Sequence, residues 1–417
     1  MPDDNRPRIL FLMASRTYRA GAFLQAAHAL EAAAVVGSEI KHLLTDLNPA
    51  GHLHLDFQDL EGLTDRIVEY ARSHPIQAVV SPDDDGLALA AMASDALGLS
   101  HNSLFAVSSA RDKHRMRQVL AENGLPSPWF ERFAVDSGPA PASRRVQYPC
   151  VLKPLALSGS RGVIRAEDPG QFIAAFGRIA SILREPDAAL LSGPLAGYIL
   201  AEGYIPGSEV ALEGLMTSGR LKTLAIFDKP DPLAGPFFEE TIYVTPSRLE
   251  AGLQREIEAA AASAASALGI TQGPVHAEMR LNEGGVFVLE IAPRSIGGYC
   301  SRALRFEGDE SLEMLILRQA LGREIESVRR EEAASGVMMI PTPSAGILRG
   351  ISGIEEARRI LTVEDVVITI PSGKVLRAPP DGNEYLGFIF SRAPRPEEVE
   401  TALRTAHACL HVGIEVK

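Results

Sequence analysis

The chain of 417 residues has little cysteine, a deficit of positive charge and no long apolar run, and each shortage removes a class of protein. Its three cysteines, Cys150, Cys300 and Cys409, are widely scattered, with no CxxC pair. That excludes a disulfide framework and points to a reducing compartment. Lysine and arginine number 41 against 53 aspartates and glutamates, a formal charge of −12. A broad positive field for non-specific nucleic-acid binding is therefore missing, leaving room only for a local basic patch. No stretch approaches the roughly eighteen uncharged apolar residues of a membrane-spanning helix. The Ala-rich segment at 259–268 is short and preceded by charge. The opening MPDDNRPRILFLMAS has neither the h-region nor the small-residue cleavage site of a signal peptide. A soluble cytoplasmic protein, with no nucleic-acid or membrane partner, is expected. Two phosphate-binding fingerprints are also absent: GxxxxGK[ST] anywhere, and GxGxxG after the first strand.

What is present is an ordinary globular balance of 46% hydrophobic and 23% charged residues. That is enough apolar surface for real cores and excludes disorder over most of the chain. At roughly 100–200 residues per domain, two to four domains are expected. The run RILFLMA (8–14) predicts a buried parallel strand and residues 20–34 a helix. Val35–Val36 and AVV (78–80) predict two more strands, the latter leading through SPDDDG into a helical segment. The alternation predicts an open α/β layer to about residue 108, with a ligand crevice at the strand carboxyl ends. SRTYR (15–19) and SPDDDG (81–86) fall there.

Further on, a helix over 111–123 stops at Gly124, and DSGPAPAS (136–143) reads as an exposed loop. A strand YPCVLKP (148–154) precedes the polar loop SGSRGV (158–163), then a helix at 168–184. Two strand-like runs surround PGSE within 197–215, followed by a strand at 221–227 and a helix over 249–268. VHAEMRL (275–281) and VFVLEI (286–291) form a hairpin around NEGG. A helix covers about 310–321. From about 330, short strands and Gly/Pro turns lead to LGFIF (386–390) and a helix at 396–409, which reads as a separate α+β domain.

Four constellations carry chemistry. With a three-residue loop at 283–285, Glu278 and Glu290 sit face to face on the hairpin. Directly opposed like charges are destabilising unless a cation lies between them. An all-oxygen site suits Mg²⁺. A two- or four-residue loop would instead put the two on opposite faces, as solvent-facing carboxylates. Arg294, in EIAPRSIGG, could steady negative charge beside such a site, and Gly297 and Gly298 leave pocket volume; the alternative is a surface arginine before a loop. Lys153 precedes Ser158-Gly159-Ser160-Arg161-Gly162, a loop whose backbone N–H groups could meet phosphate, or which is simply a turn. Glu202 and Glu209 flank YIPGS: a carboxylate can accept both ribose hydroxyls and the exposed backbone can read adenine, or the two are surface glutamates. His276 shares a strand face with Glu278 and reads as a substrate contact, a third ligand or a structural histidine. No second His/Cys cluster supports zinc.

In this order, DK (112–113), YPCVLKP, SGSRGV, AEGYIPGSE (201–209), VHAEMR (275–280) and LEIAPR (289–294) resemble the ATP-grasp superfamily. FDKPDPLAGPFFEETIYVTPSRL and ILRGISGIEEAR are similar to its L-amino-acid ligase branch, which joins two amino acids into a dipeptide or related amide. The resemblance implies an ATP-grasp fold of α/β and α+β parts. Residues 1–108 would be a Rossmann-like preceding domain, 109–200 the N-lobe with the phosphate loop, 201–328 the C-lobe with the metal and substrate site, and 329–417 a small C-terminal α+β domain.

It further implies that Lys113 and Lys153 contact the nucleotide and that residues 158–162 close over its phosphates. Glu202 with the backbone at Tyr204–Ile205 would hold adenine and Glu209 the ribose. Glu278 and Glu290 would bind Mg²⁺ (or Mn²⁺), and Arg294 would steady an acyl phosphate and the tetrahedral intermediate. Glu240 would face the α-ammonium of a first substrate. One departure stands out: many relatives carry Asn two residues after the second metal carboxylate, where this chain has Ala292.

The implied reaction is an ATP-dependent ligation of amino-acid-like small molecules through an acyl phosphate, releasing ADP and phosphate. The alternatives are a purine-pathway amine ligase, a bicarbonate-activating carboxylase or a non-catalytic nucleotide binder. On base rates a homodimer is expected.

Overall fold

The computed structural model describes residues 6–15, 17–40, 51–57 and 59–416. Arg16, within the predicted crevice segment SRTYR, lies outside the described residues. The N-terminal layer is a four-stranded parallel sheet in the order His52–His54, Ala33–Ser38, Arg8–Leu12, Ala78–Val80. Its central strand is apolar because helices cover both faces: Ile9 and Phe11 pack with helix Ala20–Ala29, while Leu10 and Leu12 face Leu63, Ile67 and Leu89. The strand carboxyl ends lead into the 81–86 loop, where Asp84–Gly86 forms one 3₁₀ turn.

A second, four-stranded sheet is antiparallel in the order Phe130–Ala134, Tyr198–Gly203, Cys150–Pro154, Ile164–Ala166. Helix Pro169–Leu183 packs on it through Phe172, Phe176 and Ile179. Within the segment expected to be a loop, Pro139–Ala142 forms a short helix, since proline suits a first helical turn.

The third sheet has eight strands and crosses residue 329. Its order is Gly285–Ala292, Gly273–Asn282, Ser208–Thr217, Arg220–Lys229, Ile242–Thr245, Ala334–Ile340, Gly387–Ala393, Val363–Ile368. Ala334–Ile340 pairs with Ile242–Thr245 along its length, so the C-terminal segment shares a sheet with residues 208–292 instead of standing apart. Among the described residues, only a three-stranded sheet, Val375–Leu376, Gly346–Ser352 and His411–Glu415, belongs wholly to that segment.

Alternation on the large sheet divides structure from chemistry. Val275, Ala277, Met279 and Leu281 pack on one face with Ile257, Ala261 and Ala265 of helix Ala251–Leu268. His276, Glu278 and Arg280 therefore face the other way, into a cavity. Met116 and Leu120 of helix Lys113–Glu122 join this same core, which seats that helix on the C-lobe. Among the described residues no helix is long and apolar enough to cross a membrane.

Candidate active site

A cavity of about 790 Å³ lies where the three sheets meet. The hairpin Gly273–Asn282/Gly285–Ala292 forms one wall and pairs Glu278 directly with Glu290. The predicted pairing is present, but its cause differs from the one expected. The connecting loop has two residues, 283–284, since Asn282 pairs with Gly285. A β-bulge between Glu278 and Met279, with Leu289 as the extra residue, shifts the register by one and returns both carboxylates to a single face.

Arg117 holds this bulge in place. It is fully buried, and donates from Nη1 to the Val288 carbonyl at 2.6 Å and from Nη2 to the Leu289 carbonyl at 3.2 Å. Its Nε donates to Glu202 at 2.7 Å. Arg117 sits one turn after Lys113 on a helix capped by Asp112, which accepts from the His114 and Arg115 N–H groups. Its position on a mixed-charge helix carried no sequence signal. Only the bulge and Glu202 meeting there reveal its work.

Two lysines enter from the opposite wall. Lys153 Nζ lies 2.5 Å from Glu202, and Lys113 Nζ lies 3.1 Å from Glu290 and donates to the Leu157 carbonyl at 2.9 Å. Burial would raise the Glu202 carboxyl, but Arg117 and Lys153 outweigh it and hold the group down at about 2. Burial, with the Arg117 and Lys113 charges, lowers Lys153 despite Glu202. Glu202 was expected to hold adenine. It lines the cavity, and its carboxylate is shared by the two cations, so it also positions Lys153 and Arg117.

This arrangement has a pH signature. Glu202 titrates near 4.5 unfolded and about 2 folded, so its stabilisation is complete above pH 4.5 and is lost as pH falls towards 2. Glu202→Gln is expected to cost about 3 kcal/mol at pH 6, by leaving two buried cations short of a partner. In urea unfolding, the gap from wild type should shrink between pH 4.5 and pH 2. A gap that stays constant over that range would overturn the assignment.

The sheet register explains a second set of ion pairs. Glu209 stands opposite both Arg280 and Lys229, accepting from Arg280 Nε at 2.9 Å and Lys229 Nζ at 2.8 Å. Lys229 also bonds Glu240 and lies 3.5 Å from Glu278. Glu209, Glu240 and Glu278 are close enough to hold a metal ion, but the Lys229 ammonium already supplies their cation. Glu240, expected to face a substrate ammonium, lines the cavity with its charge offset by this lysine. Burial and the Glu278 charge push its carboxyl up to about 7.

His276 stands opposite Glu213, with Nδ1 at 3.1 Å from it and Nε2 at 3.3 Å from Glu278. Burial opposes its charge, yet hydrogen bonds to these two carboxylates raise it to about 9. Glu213 also accepts the Ile296 N–H at 3.0 Å, tying the segment after Arg294 to the sheet. Ala292 lies opposite His276.

Arg294 reaches the cavity, and the first domain grips it. Its Nε donates to Asp84 at 2.8 Å and its Nη1 to the Ser295 carbonyl at 3.1 Å. Burial opposes its charge, but Asp84 and Glu290 hold it firmly protonated. Arg19, also buried, bonds the Pro82 carbonyl and Ser295. The predicted crevice of the α/β layer is thus a brace for the arginine, which sequence spacing could not show across 210 residues.

The phosphate loop departs from expectation in two residues. Ser158, Gly159 and Ser160 line the cavity. Arg161 turns away, bonding Asp187 at 2.7 Å, Glu185 at 2.6 Å and the Asp381 carbonyl at 2.9 Å. The Gly162 N–H is spent on the Pro380 carbonyl at 2.9 Å. Tyr204 and Ile205 do line the cavity. The Tyr204 N–H goes to the Pro149 carbonyl and the Ile205 carbonyl accepts from Arg280 at 2.8 Å, while among the described residues the Tyr204 carbonyl and the Ile205 N–H have no hydrogen-bond partner. Gly297 and Gly298 border the cavity, as expected.

Fold and site define an ATP-grasp protein. Residues 146–303 match the ATP-grasp domain model and residues 24–101 the ATP-grasp N-terminal domain model. The chain belongs to the ATP-grasp superfamily. Within it, the chain is similar to the L-amino-acid ligases: residues 338–415 match the model of L-amino acid ligase C-terminal domain 2. The crystal structure of L-amino acid ligase from Bacillus licheniformis superposes with a TM-score of 0.83 at 27% identity, covering 99% of this chain and 100% of that one. Alanine–anticapsin ligase of Bacillus amyloliquefaciens is 28% identical over 255 residues, which is 57% of this chain and 52% of that protein. The chain spans about half the length of the curated relatives it matches first. A carboxyaminoimidazole ribonucleotide synthase of Aspergillus clavatus, solved with ATP, has a TM-score of 0.73 at 16% identity over 97% of this chain and 98% of that one, and shares the fold.

Proposed function

We propose that the protein is an ATP-dependent carboxylate–amine ligase that joins amino acids, or an amino acid and a related acid, through an acyl phosphate. One observation carries the reading: Lys113 and Lys153 from one wall, the opposed Glu278 and Glu290 from the other, and Arg294 between the domains all border one cavity.

Lys153, with Lys113, neutralises the phosphates, and the Ser158–Ser160 backbone covers them. The Tyr204 carbonyl and Ile205 N–H take the adenine edge. Glu209, although paired, keeps lone pairs for ribose hydroxyls. Glu278 and Glu290 fit a divalent cation: both line the cavity, both offer only oxygen, and their mutual repulsion is now offset by Lys229, His276 and Lys113. Mg²⁺ held there supplies charge neutralisation on the phosphate oxygens.

The substrate carboxylate attacks the γ-phosphate, giving an acyl phosphate and ADP. An amine then attacks the acyl carbon, Arg294 balances the oxyanion, and phosphate leaves as the amide forms. The covering loop keeps water from the acyl phosphate. A cytoplasmic homodimer is the proposed setting, checked by light scattering.

The test is ADP release across pairwise amino-acid mixtures, with products identified by mass. Release that needs two amino acids and yields their condensation product is the expected result. Release driven by bicarbonate alone, or nucleotide binding with no release under any mixture, would overturn the proposal.

A further inference from the structure

The ligase reading leaves part of the cavity lining unused. Most of the charged groups are bound to one another in ion pairs, Lys113 with Glu290, Lys153 with Glu202, and Lys229 with Glu209, Glu240 and Glu278. Beyond Arg294 the wall changes to Tyr299, Cys300, Met339, Tyr385 and Phe388, with Tyr18 arriving from the first domain. The rings form one connected set: Tyr18 and Tyr299 have centroids 5.2 Å apart, Tyr299 meets Phe388 edge-on at 5.2 Å, and Tyr385 lies 6.4 Å from Phe388. The Gly298 N–H donates to the Tyr18 hydroxyl at 2.7 Å, which fixes that ring in the wall.

Two carboxylates border the same side, and each is already matched by a lysine: Glu240 with Lys229 and Glu384 with Lys374. A charged substituent entering there would have to compete with these existing pairs. It would also lose its hydration.

The two glycines keep this end open. A Cβ on Gly298 would stand 3.0 Å from Phe388 and 3.3 Å from the Cys300 sulfur, at a φ of +62° that side chains rarely adopt. A Cβ on Gly297 would meet nothing within 4 Å, so that position looks into empty space.

We infer that this end is the side-chain subsite of the activated acid, and that it selects an amino acid with a bulky apolar side chain, aliphatic or aromatic, as the carboxyl donor. The inference rests on the ligase reading for the word donor. The acid whose carboxylate lies at Arg294 has the 296–300 segment directly beside it, and its substituent extends past the glycines. Burying such a side chain favours leucine, methionine, phenylalanine or tyrosine over glycine, aspartate or lysine by about 10- to 100-fold.

The experiment measures kcat/KM for each acid donor at a fixed amine, with the donor identified as the N-terminal residue of the product. Calorimetric binding of the same amino acids, in the presence of Mg²⁺ and a non-hydrolysable ATP analogue, runs beside it. Expected is a preference of at least about 10-fold for the apolar donors in both readouts. Gly297→Leu, which fills the open space, should reverse that preference in favour of alanine. Gly297→Ala should shift it part of the way, and keeps the test valid if the larger substitution fails to fold.

Glycine, aspartate or lysine favoured as donor, or an unchanged ratio in the Gly297 variants, would overturn the subsite. Apolar amino acids that bind selectively while no pair releases ADP would sink the ligase reading and leave the subsite standing.

Discussion

Glu290→Gln is expected to lower ADP formation by about 10³-fold while the protein stays folded. The argument is one of charge. Glu290 and Glu278 are paired across the hairpin, and a divalent cation between them is what a γ-phosphate transfer needs close by. The amide keeps the size and one oxygen of the carboxylate but removes the charge that would hold the ion. Stability should change little, because the side chain is 31% exposed and its partner is Lys113 at 3.1 Å. Lys113 is buried but keeps its bond to the Leu157 carbonyl, so the loss should be smaller than for Glu202→Gln, where two buried cations share the carboxylate. Glu278→Gln is the poorer probe, since Glu278 also offsets Lys229 and His276. The measurement is single-turnover ADP formation, with thermal unfolding as the control. Wild-type turnover in a folded Glu290→Gln protein would remove the metal assignment.

Arg294→Ala should lower amide formation by about 10²- to 10³-fold and change nucleotide affinity by no more than about 3-fold. Two of the arginine's donor atoms are committed: Nε to Asp84 and Nη1 to the Ser295 carbonyl. Among the described residues Nη2 has no hydrogen-bond partner of its own, so it is the donor that can meet an oxyanion. Because both anchors belong to the protein and not to the nucleotide site, loss of the side chain should affect the acyl-transfer step most. Phosphate release in the absence of amine, compared with amide yield in its presence, separates the two steps. Nucleotide affinity falling in parallel with amide yield would argue against the role.

Much of the fold was legible because its elements are locally determined. The buried strand at 8–12, the helix expected over 111–123 and found at Lys113–Glu122, and the Ala-rich helix ending at Gly269 follow from apolar periodicity and stop signals. The hairpin was legible for a similar reason, but its register was reached by the wrong route. A two-residue loop alone would have put Glu278 and Glu290 on opposite faces. The carbonyls of the bulge that prevents this are met by Arg117, contributed by a helix more than 160 residues earlier in the chain.

The residues missed share one property: their roles are set by a partner distant in sequence. Lys229 stands between three glutamates only because three strands lie side by side. Asp84 matters only because the first domain's loop folds against residues 294–295. Conversely, Arg161 and Gly162 carried the sequence pattern of a phosphate loop, yet their groups are used by Glu185, Asp187 and the 380–381 backbone.

The sequence by itself determined the superfamily, the order of its elements and the identity of the charged residues that could meet a nucleotide, because motif spacing and periodicity are properties of the chain. The tertiary structure decided which of those charges face the cavity, which neutralise one another, and that an apolar pocket adjoins them. Those outcomes depend on cross-strand register and domain docking, and a buried charge takes whichever partner the fold brings within about 3 Å.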